Sequence, residues 1–300
     1  MEKSLHKISI KIKPFSHHII RIAIAYLLLA YTANEVNAQS EADSIGNCSI
    51  YISSQTGFGY GKYKDEGVSP LIYQGLVASQ GFSIATDIKK TRLIADAIAF
   101  GGLYKKSFFT DVYDPINEKP IINKYNSAGI DADIKITSLY QLLQSEKRHF
   151  RFYLGGSIEE YLDLKINSNF ENAAVGVGNF LNLNADFLGE YDFSFTNNMI
   201  ETQNRRFTAS LRISIPITSL IIRPGFSYLI NANGNTINYV AFCKMLSGID
   251  TKTSLSFKLK NENQIRASYC WTYITTGKHS IHRFDDAKHM FIISFHFKLL

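Results

Sequence analysis

The chain has 300 residues, enough for one large domain, and its 45% apolar and 19% charged residues exclude a disordered polypeptide. The formal charge of +6 invites a nucleic-acid-binding reading, but no nucleic-acid motif accompanies it. Aromatics are lopsided (21 Phe and 17 Tyr against one Trp), and with a mean hydropathy of −0.07 no apolar run is long enough for a transmembrane helix.

At the start of the chain, Lys3, Lys7, Lys11, Lys13 and Arg21 precede an apolar run from Ile22 to Ala33, and a polar stretch then ends Val36-Asn37-Ala38. A charged region, a short apolar core and a small-residue junction predict a secretory signal peptide over residues 1–38, cut after Ala38. As a helix the apolar run would span only about 18 Å, short of a hydrocarbon core of about 30 Å. Residues 1–38 hold five of the 32 basic side chains and two of the 26 acids, leaving 27 against 24, a formal net of +3. Half the apparent basicity is therefore targeting signal. Cys48, Cys243 and Cys270 form no CxxC pair and no disulfide framework, so they are expected to pack rather than react.

From residue 39 to 300 one domain is expected, and period-two alternation dominates it. Irregular strands are predicted at 49–60, 73–88 and 92–104. At 128–140 the pattern is clean: Ile130, Ala132, Ile134 and Ile136 share one face, Asp131, Asp133, Lys135 and Thr137 the other. A less regular strand follows at 150–166. At 175–195 Leu181, Leu183, Phe187, Tyr191 and Phe193 oppose Asn182, Asn184, Asp186, Glu190 and Asp192. A strand over 207–215 is followed by candidates at 220–230 and 237–246, the first of them carrying Pro224, which removes a ladder donor. Alternating strands at 251–259 and 265–273 and a last one reaching Leu299 complete about twelve strands, within a range of ten to fourteen. Paired glycines at 101–102 and 155–156 suit bends or close backbone approach.

Such alternation fits either a soluble sandwich with the apolar face inward or a membrane barrel with it outward. Strand length favours the barrel, because sandwich strands usually have about five or six residues. Connection lengths agree. Counted from a periplasmic N-terminus, odd connections face outward; connection three (105–125) is the longest, and one, five and eleven are sizeable. Connections two (89–91), four (141–147), eight (231–235) and ten (260–263) are short, as periplasmic turns should be. Connection six (194–204) is too long for this rule, and seven and nine are too short. Tyr269, Trp271 and Tyr273, with Phe193 and Phe195, suit aromatic girdles. The predicted fold is all-β, a transmembrane antiparallel up-and-down β-barrel.

The polar face would then line the lumen. Its candidate residues are Asp131, Asp133, Glu159, Asp186, Glu190 and Asp192 on one side, and Arg206, Arg212, Arg223, Lys252, Lys258 and Arg266 on the other. An acidic wall facing a basic wall would orient a polar or zwitterionic solute, which predicts a narrow solute pore. Long charged side chains could equally pair across the lumen and fill it.

Several stretches carry a resemblance: 154–156 through 165–167, Asn179 to Tyr191 (NFLNLNADFLGEY), 265–273 and 289–299, with the junction Asn37-Ala38-Gln39. Through them the chain resembles an uncharacterised family of Bacteroidota outer-membrane β-barrels. The resemblance implies an outer-membrane location, contact with membrane lipid and lipopolysaccharide, and insertion by the barrel-assembly machinery. It carries over no site residues. Phe295 and Phe297 keep the closing rhythm of such barrels, although the chain ends Leu299-Leu300 rather than on an aromatic residue.

No cofactor or resident metal is expected. A lipid hydrolase would draw on Ser294 and His296, with Ser268 on a neighbouring strand, but serine is common on lumen faces and no enzyme is expected. The segment His279-Ser280-Ile281-His282-Arg283-Phe284-Asp285-Asp286 is expected to be a solvated charged loop rather than a cation site. The long connection 105–125 is a candidate partner-binding element or an inward plug.

Overall fold

The structure, a computed structural model, describes residues 48–66, 69–114, 119–145, 149–167, 175–195, 205–222, 238–242, 247–276 and 283–299. Every regular element among them is a strand. They are β1 (Cys48–Asp65), β2 (Ser69–Ile88), β3 (Thr91–Asp114), β4 (Lys119–Gln144), β5 (Phe150–Asn167) and β6 (Val175–Phe195), then β7 (Arg205–Ile222), β8 (Asn238–Phe242), β9 (Ser247–Lys258), β10 (Gln264–Thr275) and β11 (Phe284–Lys298). All pair antiparallel, and the sheet closes through β1 with β11 and β6 with β7.

The barrel has ten staves rather than about twelve, because β8 and β9 share one edge of β7 and form a single stave. β8 pairs with Thr218–Ile222 and β9 with Arg206–Ser214. The expected strands at 207–215 and 220–230 meet in β7, and those at 237–246 and 251–259 meet in the β8–β9 stave. The cause lies at Pro216, which has no N–H to give the ladder. Opposite it the β6–β7 register slips between Leu183 and Asn184, leaving Ile217 as a bulge inside one continuous strand. The connections that looked too short, seven and nine, thus fall inside strands or at the β8–β9 break. Pro224 and Arg223 lie outside the described residues.

β1 begins and β11 ends at one rim, here called proximal; the opposite rim is distal. The proximal turn Lys89-Lys90 is as tight as expected, with Lys89 at φ 53°. At the distal rim the expected loop 105–125 is instead a β-hairpin. β3 continues to Asp114 and β4 starts at Lys119, with paired backbones from Lys106↔Tyr125 outward. β2 pairs with β3 only as far as Lys105, and β5 pairs with β4 only from Ser127. The ribbon therefore extends beyond its neighbours.

The apolar faces point out. Phe58, Leu76, Phe82 and Leu103 are each more than 60% exposed, while the fully buried set is rich in Ser, Asn, Asp and Lys. A soluble sandwich would show the reverse. Ile72 and Ile84 are both outward on β2 and lie about 40 Å apart along the strand, or about 30 Å of height at a tilt near 40°. That matches the thickness of a hydrocarbon core. Near the proximal rim the ladder aligns Phe193, Phe207 and Phe257, with ring centroids 5.6 and 5.1 Å apart. Farther along, Tyr269 hydrogen-bonds His289 (2.6 Å), whose ring stacks on Trp271. Tyr269 lies four ladder positions along β10 from the residue level with Phe257. Residues 1–38, including the expected signal peptide, lie outside the described residues, as does Phe195's side chain.

Candidate functional site

Period two places one residue in every pair inside, and ten staves bring opposite walls within reach of long side chains. Three polar layers result. The distal layer centres on Lys165, which bonds Asp131 (2.6 Å) and Asp163. Lys288 on β11 reaches Asp286 (2.5 Å) and, across the lumen, Asp131 on β4 (3.0 Å). Tyr161 on β5 donates to Asp286 on the opposite wall (2.6 Å), and Lys288 donates to the Tyr161 hydroxyl (2.7 Å). Above these groups Tyr63 stacks on Tyr73 and meets Tyr104 edge-on at 4.9 Å. The Tyr63 hydroxyl donates to Ser127 (2.5 Å). Lys165 is 0% exposed and lies 5.2 Å from the Tyr63 ring centroid, so its charge is met by carboxylates and a π-face.

The three carboxylates of this layer have oxygens within 4.8 Å of one another, a spacing a metal site could use. The ammonium groups of Lys165 and Lys288 already stand among them, and these supply the compensating charge. Asp286 was expected in a loop with Asp285; both belong to β11, and Asp286 is buried. Residues 279–282 lie outside the described residues.

In the middle layer Lys135 approaches Ser214 (2.8 Å), Asp250 (3.4 Å) and Asp186 (3.9 Å). Arg212 donates to Asp186 (3.0 Å) and Thr137 (2.6 Å) and pairs with Asp96 on β3 (3.5 Å). Glu159 accepts from Asn184 (2.7 Å), whereas Asp133 keeps a buried oxygen without a partner. Both line a side cavity of about 60 Å³, room for a few waters. In the proximal layer Arg92 joins Asp87 and Glu190 (both 2.5 Å), and Arg151 joins Glu190 (3.2 Å) and Asp192 (2.9 Å).

In the distal and middle layers the expected pair of separate acidic and basic walls is therefore not what forms. Arg92, Lys135 and Lys165 sit among the acids of β3 to β5, and Asp250 and Asp286 sit among the bases, so charges neutralise locally and across the lumen. The period-two rule would have given Tyr161, Asp163 and Lys165 to the inner face, since they alternate with Leu162, Leu164 and Ile166. Their partners on distant strands leave no such signal.

Below the middle layer the lumen opens. A cavity of about 680 Å³ extends toward the proximal rim, lined by Glu190, Asp192, Arg212, Lys252, Lys258 and Arg266 among the expected residues. Lys258 reaches Glu262 in the proximal turn (3.4 Å). Arg206 is on β7, where its backbone pairs with Lys258.

Ser294 and His296, two residues apart on β11, turn their side chains toward each other, with Ser294 Oγ 2.9 Å from His296 Nε2. Ser268 bonds Ser254 instead (3.0 Å). A catalytic imidazole is normally oriented by an acid. Among the described residues no acid bonds this ring, and the charged groups acting on it are Arg266 and Lys252. Cys270 is buried and unpaired.

A closed antiparallel barrel with an apolar exterior and a polar, charged lumen defines the class of outer-membrane-type β-barrels. Solved structures of that class superpose on the chain. The outer membrane protease OmpT from Escherichia coli is 11% identical, over 86% of this chain and 100% of that one, with a TM-score of 0.50. The transport unit of the autotransporter AIDA-I from Escherichia coli is 10% identical, over 89% and 96%, with a TM-score of 0.45. An outer membrane channel from Pseudomonas putida F1 is 8% identical, over 86% and 99%, with a TM-score of 0.33. At 11% identity the likeness to OmpT concerns the fold alone. No protein-family model and no curated protein matches the chain.

Proposed function

We propose that the chain is an outer-membrane β-barrel closed to through-flow, exported by its N-terminal segment, embedded in membrane lipid and lipopolysaccharide, and inserted by the barrel-assembly machinery. The observation that carries this reading is the distal layer. Asp131, Asp163, Lys165, Asp286 and Lys288 are all at most 4% exposed and tie β4, β5 and β11 together across the lumen. A solute would have to break several buried ion pairs at once, and each broken pair would leave an uncompensated charge. In planar bilayers the refolded protein should give no sustained conductance steps. Regular steps from the unmodified protein would return the lumen to the narrow-pore reading for a small polar solute.

A second reading, a surface or assembly component, is favoured by the β3–β4 ribbon, which extends beyond the barrel wall as a paired hairpin. Its accessibility on intact cells tests that role. The chain is read as a non-enzyme; a lipid deacylase would need the Ser294–His296 pair, and Ser294→Ala should leave lipid composition unchanged.

A further inference from the structure

The proximal cavity has an electrostatic imbalance that its own side chains do not relieve. Six basic residues line it against four acids, Asp87, Asp96, Glu190 and Asp192. Those acids are already engaged by Arg92, Arg151 and Arg212. On the wall formed by β9, β10, β11 and β1, Lys252 and Arg266 have no ion-pair partner among the described residues. Arg266 gives Nε to Ser256 (2.7 Å), and its terminal nitrogens find no protein acceptor there.

The ladder sets the geometry of this wall. Ser256 is level with Arg266, Arg266 with Ser294, and Ser294 with Gln55. With strands about 4.8 Å apart, Arg266 and Gln55 stand about 10 Å from each other, with a serine between them. Gln55 is only 4% exposed, and its Nε2 has no partner. A guanidinium fork is matched by carboxylate or phosphate oxygens. Lys252 and Arg266, without an ion-pair partner among the described residues on one wall of the cavity, are matched by an oxyanion.

We propose that this wall binds a small organic anion bearing a carboxylate or phosphate group. Arg266 holds the oxyanion, Lys252 adds its charge from farther up β9, and Gln55 lines the same wall. The cavity, at about 680 Å³, is the size of an ordinary small-molecule site. Binding does not require a closed lumen, so a conducting barrel would leave this inference standing.

The test is calorimetric titration of the full-length, detergent-folded protein with succinate and, separately, with inorganic phosphate at low ionic strength. At least one should bind saturably, and the two arms tell carboxylate from phosphate preference. Arg266→Gln should weaken binding about tenfold or more, as should high salt. Lys252→Gln provides an independent variant should Arg266→Gln fail to fold. Arg283→Gln, at the distal rim, should bind as the unmodified protein does. Weakening in either cavity variant supports the site. Absence of saturable binding of both anions by the unmodified protein, or unmodified affinity in every folded cavity variant, overturns it.

Discussion

At Gly129 a β-carbon would come within 2.9 Å of Lys165 Cδ and 3.0 Å of the Tyr104 ring. Its ladder neighbour Gly102 is tighter still, at 2.4 Å from the same ring. These two glycines form the hollow into which the distal layer folds. Gly129→Val should overpack it and lower stability by about 1–3 kcal/mol, read as a lower urea midpoint for the protein folded in vesicles; an unchanged midpoint would show that the layer yields. Glu262 tests the proximal turn. Its hydrogen bond from Lys298, reinforced by Lys258, holds its carboxyl below the ordinary glutamate range. The interaction is thus present above the unfolded glutamate pKa and lost as pH falls through the lowered folded value. A ¹³C NMR titration should find that low midpoint, and Lys298→Gln should raise it toward the ordinary glutamate range. At this scale the sequence was a good guide to direction: Asp131, Lys135, Asp186 and Glu190 all face inward, as their alternation requires.

Among the elements, the β3–β4 ribbon departs furthest from expectation. Within the barrel wall, lipid on one side and polar lumen on the other impose period two. Beyond the wall both faces of a ribbon meet similar surroundings, so the sequence from 105 to 125 need not alternate and reads as loop. Protease added to intact cells should cut near residues 115–118, between the two strands. Protection there in cells whose barrel is correctly inserted would count against an outward-facing hairpin. The merged staves have a different cause. Pro216 and the following Thr218-Ser219 look like a strand end, but a bulge absorbs the missing donor while the register resumes.

For the whole molecule, strand number governs function through width. Ten staves narrow the lumen enough for Tyr161 on β5 to touch Asp286 on β11, five staves away on the opposite wall. Removing both lysines of the distal layer together, as Lys165→Ala with Lys288→Ala, should free that layer and introduce conductance where the unmodified barrel has none. A variant that folds and stays silent would place the block elsewhere.

The sequence by itself determined the class: alternation dictates which residues meet lipid and which meet the lumen, because side chains on a strand point to opposite faces whatever the strand's neighbours. Only the tertiary structure decided the stave count, the ribbon beyond the wall, and the pairing of the lumen charges. Those depend on closure, since registry around the whole ring determines that Asp131 meets Lys288 and that Arg266 forms no ion pair among the described residues. No local pattern encodes a partner four or five strands away.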